Sequence, residues 1–462
     1  MTFPVISLKP SYNSVIRGCP GLPETLPRIE CELRIRSNGG KAFKIDKIEI
    51  ALKCIESLNN LSHHTFSSKP KAEKTSILFK KVVRMTEKEM LGIDIPLTIG
   101  LPEDIKETNY NTTFGRTITL LECNVRYNGL DEPQSFSRVI NVEKYNFLPN
   151  SKLFPPIRRQ VFSPDKRLVV DYTIKNPCVS TDDVLHINFE MRPNSKAVTD
   201  GLTGSASLIF NKKSKMKLKH AAANLKEYLE VYDDGSGTTT SIGGSGNDTR
   251  ENVLLEEVKP INEAITHNGI KWSMDIKVLT KNETFKEFEK SLQEPASLYR
   301  YAKKDLSSAN QLTNSGVKTE LLQSKVAHGR EIPFQYHTSI TTTRGNLYRI
   351  IHGISIKFKI NNGKSFQINQ PIDITPWTVS SLKNVEQLIL QERETAKYAH
   401  QFYQNYGGLK RVLTSTTANY IKGHRIDYPP LPPVVYLHDH ETLKKLDIIY
   451  NRSSFSRIPL LE

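Results

Sequence analysis

The sequence lacks the marks that most enzymes and secreted proteins carry. It has only five cysteines in 462 residues, Cys19, Cys31, Cys54, Cys123 and Cys178. Their number is odd, they are scattered and no CxxC occurs, which excludes a disulfide framework and a cysteine zinc site. They read as small buried thiols in a reducing compartment. No apolar run approaches the ~18 residues of a membrane-spanning helix. Met1-Thr2-Phe3-Pro4 is without the basic-then-apolar pattern of a signal peptide. The sequons at Asn60, Asn111, Asn247, Asn282 and Asn451 therefore read as chance matches in a chain expected to be cytoplasmic. There is no HExxH, GxSxG, P-loop or kinase catalytic loop. His63-His64 and His438-Asp439-His440 do not have the i,i+4 spacing of a helical metal site and read as solvated loops. The expectation is a protein without cofactor, metal or catalytic activity.

Apolar residues are also scarce, 37% with a mean hydropathy of -0.44. That suits half-buried sheets joined by polar loops. Positive charge is abundant. The formal net charge is +15 and the pI about 9.3, which favours anionic partners. The basic residues are not interleaved with aromatics as in RNA-binding modules, so no nucleic acid is expected. The densest run is Lys212, Lys213, Ser214, Lys215, Met216, Lys217, Leu218 and Lys219. On a strand, Lys213, Lys215, Lys217 and Lys219 share one face, with Met216 and Leu218 on the other. Two readings stand side by side: an edge strand guarded by lysines, and a basic strip for acidic cargo or anionic lipid headgroups.

Period-2 alternation dominates the first third. Ile29, Cys31, Leu33 and Ile35 are separated by Glu30, Glu32 and Arg34, a strand with one wet face. Asn38-Gly39-Gly40 supplies a turn. Further strands are read from Phe43 to Leu52, Ile77 to Val83, Ile93 to Ile99 and Thr117 to Tyr127. Pro149, Pro155 and Pro156 then mark a domain boundary. Strand patterns resume at Arg167–Lys175, Val184–Met191, Ile270–Leu279, Phe334–Thr343, Leu347–Ile360 and Phe366–Ile374. Pro371 in the last of these implies an edge position or a bulge. Strands at this spacing with little helix predict an all-β fold of antiparallel sandwiches. The division read is a first sandwich over 1–148, a linker over 149–160 and a second sandwich over 161–377. A tail, helical and then proline-rich, follows over 378–462. Asp233–Arg250 reads as a flexible loop whose glycines do not form GxGxxG, and Lys281–Gly329 as a second insertion. Ser380–Tyr406 is helix-like, with Leu382, Val385, Leu388, Ile389 and Ala396 near one face and Gly407-Gly408 as its stop.

The tail carries a docking motif, Tyr428-Pro429-Pro430-Leu431-Pro432-Pro433-Val434-Val435-Tyr436. Such a run favours polyproline II, a ligand of WW and SH3 grooves. Pro429, Pro430, Pro432, Pro433 and Tyr436 are the candidate WW-ligand residues. Pro432 to Tyr436 is one residue longer than PPxY. The alternative is a stiff segment that packs back on a sandwich.

Arg17-Gly18-Cys19-Pro20-Gly21-Leu22-Pro23, Leu26-Pro27-Arg28-Ile29-Glu30, Arg34-Ile35-Arg36-Ser37 and Gly40-Lys41-Ala42-Phe43 resemble the opening of the fungal arrestin-related trafficking adaptors, the α-arrestins. Ile95-Pro96-Leu97 through Leu101-Pro102 and Thr117–Leu120 resemble the closing strands of an arrestin N-lobe. Leu347–Ile360 with Gln370–Asp373 resembles the end of the C-lobe. The resemblance implies an arrestin-like pair of sandwiches and a non-enzymatic adaptor. It implies that the chain links the WW domains of a HECT-type ubiquitin ligase to cytosolic tails of membrane transporters, promoting their ubiquitination and endocytosis. It places the protein in the cytoplasm, peripheral at the plasma membrane or endosomes. The other reading is an arrestin-fold signalling or developmental scaffold that recruits no ligase directly.

Overall fold

The computed structural model describes residues 4–10, 15–38, 40–59, 72–84, 89–111, 114–127, 132–146, 148–180, 183–194, 216–232, 239–240, 251–278, 341–377, 382–413 and 424–437. These residues fall into two compact units, both predominantly β. The first takes those up to 146 and those from 383 onward. The second takes 148–278 and 341–382. Lys281–Gly329 lies outside the described residues, as does Asp233–Arg250 apart from one two-residue strand.

The first unit opens with nine strands: β1 (Val5–Pro10), β2 (Ile16–Arg17), β3 (Arg28–Arg36), β4 (Ile45–Leu58), β5 (Ala72–Arg84), β6 (Gly92–Gly100), β7 (Asn109–Asn111), β8 (Gly115–Tyr127) and β9 (Gln134–Ile140). One sheet runs β1-β3-β6, with β2 also on β3. The other runs β5-β4-β8, with β7 and β9 on β8. The register of β3 on β6 explains the first. Ile29 faces Ile99, Cys31 faces Leu97, Leu33 faces Ile95 and Ile35 faces Ile93. All eight are buried in one core with Ile48, Ile50, Leu121 and Val125 of the other sheet. Each buried Ile or Leu contributes roughly 1.5–3 kcal/mol. Alternation predicted this inner face. It also predicted a wet outer face for β3, and there the structure differs. Glu32 and Arg34 are half-buried, but Arg28 and Glu30 are buried, because a later element covers them.

The second unit holds β10 (Ile157–Phe162), β11 (Leu168–Ile174), β12 (Cys178–Ser180), β13 (Val184–Pro193), β14 (Lys217–Tyr232), β15 (Thr239–Thr240), β16 (Glu251–Ala264), β17 (Ile270–Lys277), β18 (Thr343–Arg344), β19 (Tyr348–Asn361) and β20 (Phe366–Thr375). One sheet is β10-β11-β13-β17. The other is β12-β20-β19-β14, with β15 and β16 on the far side of β14 and β18 on β19. β10 begins within the stretch read as linker. Phe189 stacks on Trp272 at 5.0 Å, and Phe358 meets Phe189 edge-on at 5.9 Å, at the centre of a shared core. β14 is not the guarded edge that its lysines allowed, because β16 and β19 flank it on either side. Pro371 faces Gly353 of β19, while parallel β12 reaches only Asp373–Thr375. On its other side Pro371 therefore sits at an edge, where a missing N–H does no harm.

The described residues after β20 form α1 (Leu382–Gln404), β21 (Lys410–Leu413), β22 (His424–Asp427) and β23 (Val434–Tyr436). Val385, Leu388, Ile389, Ala396, Ala399 and Tyr403 form the buried stripe of α1. Gly407 and Gly408 take positive φ, and Gly408 N–H closes on the Tyr403 carbonyl at 2.8 Å, capping the helix. From Lys383 onward these elements belong to the first unit.

Candidate functional site: the seat of the C-terminal segment

The distinctive stretch between Arg17 and Glu30 folds into a socket. Gly18 has φ +74°, and a Cβ there would lie 2.5 Å from the Thr25 carbonyl oxygen, so glycine is required. The Thr25 hydroxyl accepts Cys19 N–H at 2.7 Å and donates to the Leu22 carbonyl at 2.7 Å. Leu26 is left-handed at φ 51°, which turns its carbonyl toward Arg28 Nη1, 3.1 Å away. Arg28 is fully buried, and its Nε donates to Glu30 Oε2 at 2.8 Å.

What fills the socket comes from the other end of the sequence. Gly18 N–H donates to Glu392 Oε2 of α1 at 3.0 Å, and Arg17 lies 4.0 Å from the same carboxylate. Burial pushes the Glu392 carboxyl above its ordinary value, an effect that Arg17 and Arg28 oppose. Arg393 bridges Glu24 at 2.6 Å. Tyr403, one turn before the helix cap, meets the Thr98 hydroxyl at 3.1 Å. Burial holds its phenol up at about 12. The Tyr428 ring lies 5.0 Å from Tyr403 and 6.0 Å from the Arg28 guanidinium, and its hydroxyl points at the Leu26 carbonyl. This cover is why Arg28 and Glu30 are dry.

On either side of Tyr428 the segment 424–436 follows β6, from its Gly100 end to its Gly92 end. Glu103 N–H donates to the His424 carbonyl at 2.9 Å. A Cβ on Gly100 would sit 1.9 Å from the Ile426 carbonyl oxygen, so the backbones touch there. At the other end β23 pairs with β6 antiparallel, Val434 with Asp94, Val435 with Ile93 and Tyr436 with Gly92. Leu91 N–H adds a bond to the Tyr436 carbonyl at 2.7 Å. The Tyr436 hydroxyl donates to Asp94 Oδ2 at 2.8 Å, and the Arg36 guanidinium lies 4.3 Å over its ring. Between the anchors the prolines, which have no N–H to pair, bow outward. Pro430, Pro432 and Pro433 are exposed, while Pro429 and Leu431 are half-buried.

The structure thus brings Pro429, Pro430, Pro432, Pro433 and Tyr436 together along one sheet edge. Of the basic strip, Lys217 and Lys219 lie on β14; Lys212, Lys213 and Lys215 lie outside the described residues, as do His63-His64 and His438-Asp439-His440. All five cysteines are buried and none forms a disulfide, and burial pushes Cys31 and Cys54 up to about 12. Among the described residues no group of three His, Cys, Asp or Glu side chains is placed to hold a metal, and no helix is long and apolar enough to cross a membrane. The sequence alone points to Arg28 and Tyr428 only as members of longer motifs, and it gives no sign of Gly100, Glu392 and Tyr403. The one local signal was an opposite-charge pair, Arg28 and Glu30, two residues apart on a strand face.

The chain is 38% identical to RHO1 GEF localizing protein 1 of Saccharomyces cerevisiae over 502 aligned positions, covering 99% of this chain and 97% of that protein. No family model matches the chain.

Proposed function

Since the chain belongs to the arrestin-related family that includes the yeast RHO1 GEF localizing protein 1, we propose that it is a scaffold that positions a Rho-type guanine-nucleotide exchange factor at a membrane. A non-catalytic adaptor role is general to the family. The exchange factor as cargo is the finer reading. One observation carries it: the likeness extends over 99% of this chain and 97% of the relative, so it spans both units and the tail that closes the first. A surface that holds the relative's named partner has its counterpart somewhere along this chain. The test is to image tagged Rho-type exchange factors in cells with and without the full chain and to co-precipitate them with it. Dispersal of one factor on deletion supports the reading. Unchanged positions for all of them, with no co-precipitation, would sink it.

Ligase recruitment is the second reading, favoured by the exposed faces of Pro430, Pro432 and Pro433. In it the chain holds the WW domains of a HECT-type ubiquitin ligase near the cytosolic tails of transporters, at the plasma membrane or endosomes. A WW domain that needs Tyr436 as well must compete with Asp94 and Arg36 for it. A pulldown with isolated WW domains decides. Full-length wild type should be retained, and the triple variant Pro432→Ala/Pro433→Ala/Tyr436→Ala lost. Failure of the wild type to bind removes direct recruitment through this segment.

A further inference from the structure

We propose that the outer face of the β14–β19 ladder in the second unit is a docking surface for an anionic lipid bilayer. The lysine run supplies Lys217 and Lys219 to this face. Pairing supplies the rest. β19 runs antiparallel to β14, with Lys217 opposite Asn361, His220 opposite Lys359 and Ala222 opposite Lys357. Leu218, Ala221, Ala223, Phe358 and Ile360 point into the core, so alternation sends Lys357 and Lys359 to the same side as Lys217 and His220. The register slips between Leu218 and His220, and this bulge lets Lys219 stand outward beside its neighbour. Lys364 lies in the turn between β19 and β20, at the end of the ladder where Lys217 pairs with Asn361. Lys219, Lys357, Lys359 and Lys364 are exposed, and Lys217 is half-buried. Among the described residues none of these five lysines has a carboxylate partner. Lys226, farther along β14, is by contrast bridged to Glu251 at 2.9 Å. The nearest acidic strand, β16, carries Glu256, Glu257 and Glu263, and none of them pairs with the cluster.

Shape selects the partner. β14 and β19 are both interior strands, so an extended acidic peptide finds no free backbone to pair with. The ammonium groups are spread over a sheet surface at spacings of about 5 Å across strands and about 7 Å along them. Val258, opposite Ala222 on the same face, is 53% exposed. A broad cationic face with an exposed apolar side chain suits a layer of headgroups better than a single ligand in a groove. The inference does not depend on which protein the scaffold carries.

Cosedimentation of the purified full chain with phosphatidylcholine vesicles, with and without phosphatidylinositol bisphosphate, tests it. Each lysine at an anionic leaflet strengthens binding by roughly fivefold. Lys357→Ser/Lys359→Ser should therefore weaken binding to the anionic vesicles at least about tenfold, and Lys217→Ser/Lys219→Ser likewise. Lys175→Ser/Lys277→Ser removes two exposed lysines beside the other sheet of the same unit and should change binding by less than about twofold. Melting temperatures should match wild type in all three. Three results would each overturn the proposal: binding unaffected by the β19 pair, equal losses in the control pair, or a soluble inositol polyphosphate or polyglutamate peptide bound as tightly as the vesicles.

Discussion

Four residues decide how the ends of the first unit hold together. Arg28 and Glu30 form a buried ion pair whose Nη2 and Oε1 have no hydrogen-bond partner among the described residues. Breaking such a pair leaves a charge stranded, at about 3–5 kcal/mol. Arg28→Ala should lower the urea midpoint of the first unit accordingly, and Arg28→Met/Glu30→Met should lower it far less. Equal losses from the two variants would mean that packing, not the stranded charge, dominates. Glu392 differs because its carboxyl is raised by burial. A raised carboxyl contributes most below its unfolded value, near 4.5, and that contribution fades as pH rises through the folded value. Glu392→Gln keeps an acceptor for Gly18 N–H and removes the charge. It should flatten the pH dependence of the melting temperature above about pH 5, without lowering the melting temperature at neutral pH. A drop of several degrees there would assign the charge a stabilising role instead. Gly100 acts by absence. Any side chain at that position meets the Ile426 carbonyl, so Gly100→Val should lift the segment 424–436 from β6 without altering the segment itself. Hydrogen exchange would register this as faster exchange at Leu91 and Glu103, whose N–H groups bond to the tail.

At the scale of elements, β6 would present a free edge were the tail not laid along it, and free edges invite pairing between molecules. The three residues of β23 are a short strand for this task, and Tyr436 fastens them. Tyr436→Phe keeps the ring over Arg36 and loses the bond to Asp94, a change of about 1 kcal/mol. It should raise exchange at Leu91 modestly, and less than Gly100→Val does. The element pattern explains what was legible in the sequence. β3, β6, β8, β11, β13, β19 and β20 each bury one face, and alternation marks that face. The helix was legible for the same reason at its own period, through Val385, Leu388, Ile389 and Ala396. The seat was not legible, because its partners are brought together by pairing and no local spacing encodes it. Nothing near Asp94 announces Val434, 340 positions away in their register. Nothing in β3 says that Glu30 is covered while Glu32 is only half so. The proline run looked like a ligand from composition alone, and composition carries no information about Arg36 and Asp94 waiting at its end.

The whole molecule is two units, and the first is assembled from the two ends of the sequence. Its stability therefore depends on residues from both ends of the chain, and the second unit's does not. A chain ending at residue 381 should show faster exchange at Ile29 and Cys31 than wild type, with Leu225 and Ile354 in the second unit unchanged. Equal loss in both units would mean that they unfold as one. That assembly has a consequence in time. At about 5–20 residues per second, roughly 20–80 s separate the synthesis of Arg28 from that of Tyr436. Throughout that interval the socket stands open on the ribosome, with a charged pair and a bare strand edge uncovered. A frameshift or premature stop before Val434 does not merely shorten such a protein. It leaves the amino-terminal half unfinished and visible to chaperones and proteases, so β23 acts as the fold's own proof that translation has passed Tyr436.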